Sequence, residues 1–140
     1  MSVRQIDPKS HVVLMGGQVL GGWTDGTFIN VERDADMWAM KIGCDGIGTR
    51  VKTNDKSGKV TMTFHESSSS NDILSAYAVA DELSNTGAVP LLVRSASGKT
   101  VITGLTAWVT KQAVVEWTKE CTDRVWIIAC DSLDIFVGAS

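Results

Sequence analysis

Histidine and cysteine are scarce in this sequence, and neither residue type occurs in a pattern typical of a reactive site. The two histidines, His11 and His65, have no cysteine or acidic partner at metal-ligand spacing. The three cysteines, Cys44, Cys121 and Cys130, match no zinc spacing, and their odd number argues against a set of structural disulfides. We therefore predict no catalytic residue, no cofactor and no metal ion. Cys130 lies inside an apolar run, and we predict that it is a small buried residue.

Long apolar runs and an excess of basic residues are also missing. No stretch approaches the roughly 20 apolar residues that a membrane-spanning helix needs. Residues 1–10 are polar and lack the apolar centre of a signal peptide, so we expect synthesis in the cytoplasm. We expect these residues to form a flexible N-terminal arm.

Thirteen basic and sixteen acidic residues give a net charge of −3, which is unfavourable for holding nucleic acid by its phosphates. A chain of 140 residues suits a single domain, residues 1–140.

Alternating apolar and polar residues predict that most of the chain forms β-strands. In residues 59–65, Val60, Met62 and Phe64 alternate with three polar residues, as in a strand with one buried face. Similar patterns predict strands in residues 11–14, 18–20, 29–34, 37–42, 49–53, 89–94, 101–108, 113–118, 126–130 and 134–137. Residues 43–48 read as a glycine-rich loop and 54–58 as a hairpin turn into the next strand, while the pairs Gly16-Gly17 and Gly21-Gly22 indicate bulges or bends.

One helix is predicted at about residues 70–84. Its apolar stripe comprises Ile73, Ala76, Tyr77, Ala80 and Leu83. We predict Ser69 as the N-terminal cap, with Asp72 favourably placed in the first turn, and Gly87 as the left-handed stop in Asn85-Thr86-Gly87. The fold class is therefore mainly β, an antiparallel sandwich or barrel with one flanking α-helix. Most of the tryptophans share strand faces with apolar residues, so we place them in the core or at interfaces; they are Trp23, Trp38, Trp108, Trp117 and Trp126.

Four blocks of sequence resemble the phage structural proteins that form the tail tube of contractile tails. The blocks are residues 22–33 (GWTDGTFINVER), 50–58 (RVKTNDKSG), 68–74 (SSSNDIL) and 134–138 (DIFVG). They occur in the expected order across nearly the whole chain, and none is a catalytic motif. The resemblance implies hexameric rings whose inner sheets join into a continuous barrel, stacked into a tube that DNA crosses during ejection.

This resemblance also implies a set of partners. They are other copies of the chain, the tail sheath protein, the tape-measure protein, and the baseplate and tail terminator proteins, with DNA only in transit and no membrane. The expected location is the virion tail. An alternative from another class is a small β-barrel binding module that uses exposed tryptophans for a carbohydrate or apolar ligand.

Two groups of residues are candidates for assembly surfaces. DNA must pass without sticking, so we assign two polar strand faces to the lumen; these faces comprise Asn30, Glu32, Asp34, Thr61, Thr63 and His65. Basic and loop residues are assigned to contacts between subunits or rings, where acidic partners neutralise the basic ones; this set comprises Arg4, Cys44, Asp45, Ile47, Arg50 and Lys52.

Overall fold

A computed structural model describes residues 11–23, 28–95 and 98–138 and shows a mainly antiparallel β fold with one flanking helix, which confirms the predicted fold class. Helix α1 spans Ser70–Ser84. The strands in the described residues are β1 Val12–Met15, β2 Gln18–Leu20, β3 Ile29–Arg33, β4 Trp38–Ile42, β5 Gly48–Lys52, β6 Gly58–His65, β7 Val89–Arg94, β8 Val101–Lys111, β9 Asp123–Cys130 and β10 Leu133–Phe136. Residues 1–10, including Arg4, lie outside this range.

All strands except β4 and β5 belong to one sheet, in the order β2-β1-β7-β8-β9-β6-β3, with β10 pairing to β8. The long strand β8 pairs through its first half with β7 and β10, and through its second half with β9. After β2 the chain returns to β6, where Trp23 bridges to Phe64 and the Gly22 carbonyl accepts a hydrogen bond from the His65 amide. The sheet therefore curls around a single apolar core.

The core is built from alternate residues of the central strands. On β6, Val60, Met62 and Phe64 are fully buried, as their period of two predicts. The neighbouring β9, also predicted as a central strand, buries Trp126 and Cys130. Burying each large apolar side chain contributes roughly 2 kcal/mol, so this pair of strands is a major source of stability.

Helix α1 lies at the predicted position, but its buried face is rotated from the predicted stripe. Leu74 is fully buried, Ile73 and Tyr77 are partly buried, and Leu83 is 81% exposed. The physical reason is the anchoring of the first turn: the Ser70 hydroxyl donates to the Gly21 carbonyl at 2.8 Å and accepts from the Gly21 amide at 2.7 Å. These bonds turn Ser70, and with it Leu74 one turn later, toward the sheet.

The helix has the predicted N-cap residue, Ser69, but not the predicted stop at its C-terminus. The Ser69 side chain makes no capping bond, and the amide of Ser70 donates instead to the Ser68 hydroxyl at 3.2 Å. The left-handed residue at the C-terminus is Asn85, with φ of 58°, rather than Gly87. Gly87 is required for a different reason, because a Cβ there would overlap Asp81 and the carbonyl oxygen of Tyr77.

Two strand predictions and one turn prediction also fail where pairing, rather than local pattern, decides the structure. Residues 113–118 form no strand. Residues 54–58 do not join two paired strands, because β5 pairs with β4, whereas β6 pairs with β3 and β9. The pairing of β8 with β7 is irregular, and this irregularity changes which residues of β8 face the core. Ile102 and Gly104 are buried before it and Ala107 after it, whereas strict alternation would have buried Trp108.

The pair Gly16-Gly17, expected to be a bulge or bend, forms the two-residue turn of the β1–β2 hairpin, with positive φ at both glycines.

Candidate assembly surfaces

The two polar strand faces assigned to the lumen form one continuous surface. Strands β3 and β6 are antiparallel neighbours, with Asn30 opposite Thr61 and Glu32 opposite Lys59. The side chains on this face point away from the core, because alternate residues of β6 are buried. We call this surface the polar face; it comprises Asn30, Glu32, Lys59, Thr61, Thr63 and His65.

Two details of the polar face differ from what the sequence predicts. Asp34 lies beyond the end of β3, where its amide donates to the Ser57 carbonyl at 3.0 Å, and so it borders the face rather than continuing it. Lys59, opposite Glu32, adds a basic residue that was not among the candidates. At the other end, His65 Nδ1 lies 3.9 Å from a carboxylate oxygen of Asp123. The face is therefore polar with charges of both signs.

Strand β3 ends the strand order, and among the described residues it pairs with β6 alone. Its outer side therefore presents backbone amide and carbonyl groups next to the polar face. Such an edge is an aggregation hazard in a monomer, because another strand can pair with it.

Strands β4 and β5 and the loop between them form a hairpin in which every residue is exposed. We call residues 38–52 the projecting hairpin. It is inserted between β3 and β6 at the point where Arg33 pairs with Gly58. At its tip, the Asp45 carboxylate accepts a hydrogen bond from the Ile47 amide at 3.2 Å, and Cys44 is exposed.

The projecting hairpin exposes an unusual number of large apolar side chains. Met40 is 69% exposed, and Ile42 and Ile47 are each 65% exposed. On the same hairpin, the guanidinium carbon of Arg50 lies 3.8 Å from the centroid of the Trp38 ring, a cation–π contact. Apolar exposure of this extent is typical of contact surfaces. The hairpin thus brings Arg50 and Lys52 together with the predicted loop residues Cys44, Asp45 and Ile47.

A second exposed segment, residues 112–122 between β8 and β9, was missed as a surface because its alternating pattern was interpreted as a strand. It borders an open groove of about 470 Å³ between the segment, α1 and the start of β9. Trp117, on the wall of the groove, is 81% exposed, whereas Trp126 at the other side is buried and donates its indole N–H to Asn71 at 2.9 Å.

A partly buried ion pair supports this groove. Arg124 is buried and lies 3.2 Å from the Glu66 carboxylate, and its guanidinium also donates to the Thr122 hydroxyl and to the main-chain carbonyl of Glu116. These contacts hold residues 116 and 122 in place although they belong to no strand. The segment is thus positioned by side chains rather than by a strand ladder.

The five tryptophans divide between core and surface. Trp126 is buried, and Trp23 stacks on Phe64 with ring centroids 4.5 Å apart. Trp108 is partly buried, while Trp38 and Trp117 are exposed. The two exposed rings lie on the projecting hairpin and on the groove, so both are available for contacts with another molecule.

The titratable side chains of the described residues owe their properties to their surroundings. Within residues 11–23, 28–95 and 98–138, no three His, Cys, Asp or Glu side chains are grouped so that they could hold a metal ion. Burial, reinforced by the nearby charge of Asp131, raises the pKa of Cys130 to about 11. The hydroxyl and amide of Ser57 donate to Asp55 and lower the pKa of that carboxyl group. In this part of the chain no helix has the length and apolarity to span a membrane.

Comparison with known sequences gives a match over almost the entire chain. The family model described as the bacteriophage PhiTE tail tube protein matches residues 12–138. The structural protein ORF10 of Pseudomonas phage KPP10 is 24% identical over 122 residues, which cover 86% of this chain and 70% of that protein.

Solved structures from contractile injection systems share the fold. The sheath/tube terminator of the extracellular system PVC, in its extended state, aligns with a TM-score of 0.65 at 9% identity, covering 98% of this chain and 100% of that chain. The PVC sheath–tube complex aligns at 0.62 and 9% identity, covering 96% and 93%. The tube-terminating cap of the anti-feeding prophage aligns at 0.61 and 11% identity, covering 99% and 95%. At these identities the likeness shows a common fold alone.

Proposed function

Because this chain belongs to the bacteriophage PhiTE tail tube protein family, and is thus a structural component of the virion tail rather than an enzyme, we propose that it assembles as hexameric rings. The rings stack into a tube, and the tube is the conduit through which DNA is ejected. The observation that carries this proposal is the family match over residues 12–138, together with exposed surfaces suited to self-association.

The polar face is the proposed wall of the lumen. Rows of lysine or arginine would bind DNA phosphates by releasing counterions, and many such contacts would retain the DNA. On this face Glu32 lies opposite Lys59, so the one lysine is next to a carboxylate, and the remaining residues are neutral polar side chains or His65. We therefore assign Asn30, Glu32, Thr61, Thr63 and His65 to the lumen, with Asp34 at its border.

Ring closure is the proposed role of the β3 edge. When each copy pairs its edge strand with the next copy, cyclic closure removes the exposed edges and extends the sheet around the ring. Because the outer edge of β3 borders the polar face, this pairing would also make the polar faces of all copies continuous around the channel. The same closure protects an edge that is hazardous in a monomer.

Stacking of rings is the proposed role of the projecting hairpin. Every residue of this hairpin is exposed, so both of its faces are open to contact. The residues assigned to stacking are Cys44, Asp45 and Ile47 at the tip, and Arg50 and Lys52 on β5. Outside the tube we expect contacts with the sheath, and at its ends with baseplate and terminator proteins; the tape-measure protein would occupy the channel during assembly. Support for the sheath and terminator comes from the PVC proteins that share this fold, a sheath/tube terminator and a chain of the sheath–tube complex.

Electron microscopy of the purified protein tests this proposal. We expect hexameric rings, and tubes at higher protein concentration, with the polar face lining the channel in a density map. A monomer at every concentration that binds a carbohydrate column would instead favour the binding module, for which the exposed Trp38 and Trp117 are the candidate platforms.

A further inference from the structure

The projecting hairpin and the groove beside residues 112–122 lie toward opposite ends of strand β6. The hairpin leaves the sheet where Arg33 pairs with Gly58, and the groove lies near the other end, where His65 pairs with Asp123. Eight residues of antiparallel strand separate these points, a distance of about 24 Å. A surface at one end and a second surface at the other end suit a head-to-tail contact, which builds an open stack when successive copies are displaced along one axis.

Both surfaces expose large apolar side chains. The hairpin presents Met40 and Ile42, and the groove is bordered by Val115 and Trp117, all of them more than half exposed. The groove, at about 470 Å³, has room for more than one large side chain. Contact between the two surfaces would bury apolar area on each, which is the main driving force for protein association.

The charges of the two surfaces are opposite in sign. The hairpin carries Lys41, Arg50 and Lys52 against Asp45, a net charge of +2. The segment of residues 112–122 carries Glu116 and Glu120 against Lys119, a net charge of −1. Complementary charges at the rim of a contact favour the correct pairing and disfavour hairpin against hairpin.

The backbone of both surfaces is also suited to pairing. Strands β4 and β5 pair only with each other among the described residues, so each has an unpaired outer edge. Residues 113–118 have the alternating sequence of a strand without a strand partner. An exposed edge can accept such an extended segment as an additional strand.

We propose that the projecting hairpin of one copy docks into the groove beside residues 112–122 of a copy in the adjacent ring. This inference rests on the proposed function, because it names the surface that receives the hairpin when rings stack. The ring at one end of a tube keeps its hairpins unpaired, and the ring at the other end keeps its grooves unpaired. Every internal ring uses both surfaces.

Charge reversal on each surface tests the pairing. Lys41→Glu with Lys52→Glu reverses the hairpin, and Glu116→Lys with Glu120→Lys reverses the groove. Each pair alone should raise the protein concentration needed for tube growth by about tenfold at low salt, because like charges then meet. The four substitutions together should restore growth. A matched control, Arg94→Glu with Glu82→Lys, changes exposed charges outside both surfaces. Reversed pairs that behave like this control, or fail to rescue each other, overturn the inference.

A cross-linking experiment tests the contact itself. In a Cys44→Ser, Cys121→Ser background, one chain carries Met40→Cys and another carries Val115→Cys, so a link between them joins different copies. The two chains are mixed, assembled and treated with a short bismaleimide, and circular dichroism confirms that both are folded. We expect linked pairs in tubes and none in isolated rings. Tubes without linked pairs overturn the docking inference alone, whereas wild-type protein that forms neither rings nor tubes overturns the proposed function.

Discussion

The hydroxyl group of Tyr77 on helix α1 donates a hydrogen bond to the main-chain carbonyl oxygen of Met15, 3.0 Å away. Met15 immediately precedes the turn of the β1–β2 hairpin, so the bond ties the middle of the helix to the sheet. The next residue is Gly16, with φ of 62°, and a Cβ at that position would overlap the Tyr77 hydroxyl. The position thus needs glycine both for its backbone conformation and for the space that the tyrosine occupies.

Truncation of Tyr77 should separate the contributions of its ring and its hydroxyl. Tyr77→Phe removes one hydrogen bond and should lower the free energy of unfolding by about 1 kcal/mol. Tyr77→Ala also removes the ring from its partly buried position and should lower it by about 3 kcal/mol. Urea unfolding of the unassembled protein measures both, with Ser75→Ala on the exposed helix face as control. A Tyr77→Ala variant as stable as the parent would show that this residue is not part of the core.

Glycine-to-alanine substitutions at Gly87 and Gly21 should have opposite effects. A Cβ at Gly87 would meet the Tyr77 carbonyl and Asp81, and backbone atoms cannot easily move away, so we expect a loss of about 1–3 kcal/mol. Gly21 has open space and a φ outside the left-handed region, so Gly21→Ala should be neutral or stabilising by up to about 1 kcal/mol. Thermal unfolding distinguishes them, and equal melting temperatures would contradict the close approach at Gly87.

The three cysteines should differ sharply in reactivity. Cys44 and Cys121 are exposed, whereas Cys130 is buried with its pKa raised to about 11, so roughly one in 10³ of its thiols is ionised at pH 8. Two thiols per folded chain should react rapidly with Ellman's reagent, and the third only after unfolding. Cys130→Ala should remove the slow reaction alone. Three rapid thiols in the parent protein would contradict the burial of Cys130.

The raised pKa of Cys130 also predicts the sign of a stability change at high pH. The thiol ionises near pH 9 in the unfolded chain but near pH 11 in the folded chain, so the folded state holds its proton more tightly. Its contribution to stability is therefore complete below about pH 9 and is lost as the pH rises toward 11. Unfolding free energies measured across this interval should fall more steeply for the parent than for Cys130→Ala.

Local patterns predicted the elements whose own residues determine them. Helix α1 was located because its apolar residues recur at helical spacing between a serine run and Asn85, and β6 because Val60, Met62 and Phe64 alternate with polar residues. The rotation of the helix was not predictable in this way, because it depends on hydrogen bonds between Ser70 and Gly21, which are far apart in sequence.

The candidate surfaces show the same division. The sequence identified the polar residues of β3 and β6 but not that the two strands are neighbours, which is a property of the sheet order. It also interpreted residues 113–118 as a strand, because alternation indicates the capacity to pair but not the presence of a partner. We propose that in this protein the partner is another copy, which a single chain cannot reveal.

The lumen assignment leads to a prediction about DNA ejection. Glu32→Lys with Thr63→Lys would place two new positive charges per chain on the polar face, and Glu32→Lys also removes the carboxylate opposite Lys59. Ring symmetry repeats these charges around the channel. We expect the rings still to assemble, with a stability loss of up to about 1 kcal/mol from the new charge next to Lys59.

Phage particles carrying these tubes should eject DNA more slowly at low salt and recover the parental rate at high salt. The reason is that lysine–phosphate contacts release counterions and therefore weaken steeply as the salt concentration rises. Val79→Lys with Glu82→Lys on the exposed face of α1 makes the same change of net charge away from both the polar face and the groove, and it should leave ejection unchanged. Ejection can be followed across a salt series by the fluorescence of a dye that binds the DNA as it leaves the particle. A rate equal to that of the parent at every salt concentration, or a density map that places Glu32 and Thr63 on the outer wall, would show that the polar face does not line the channel.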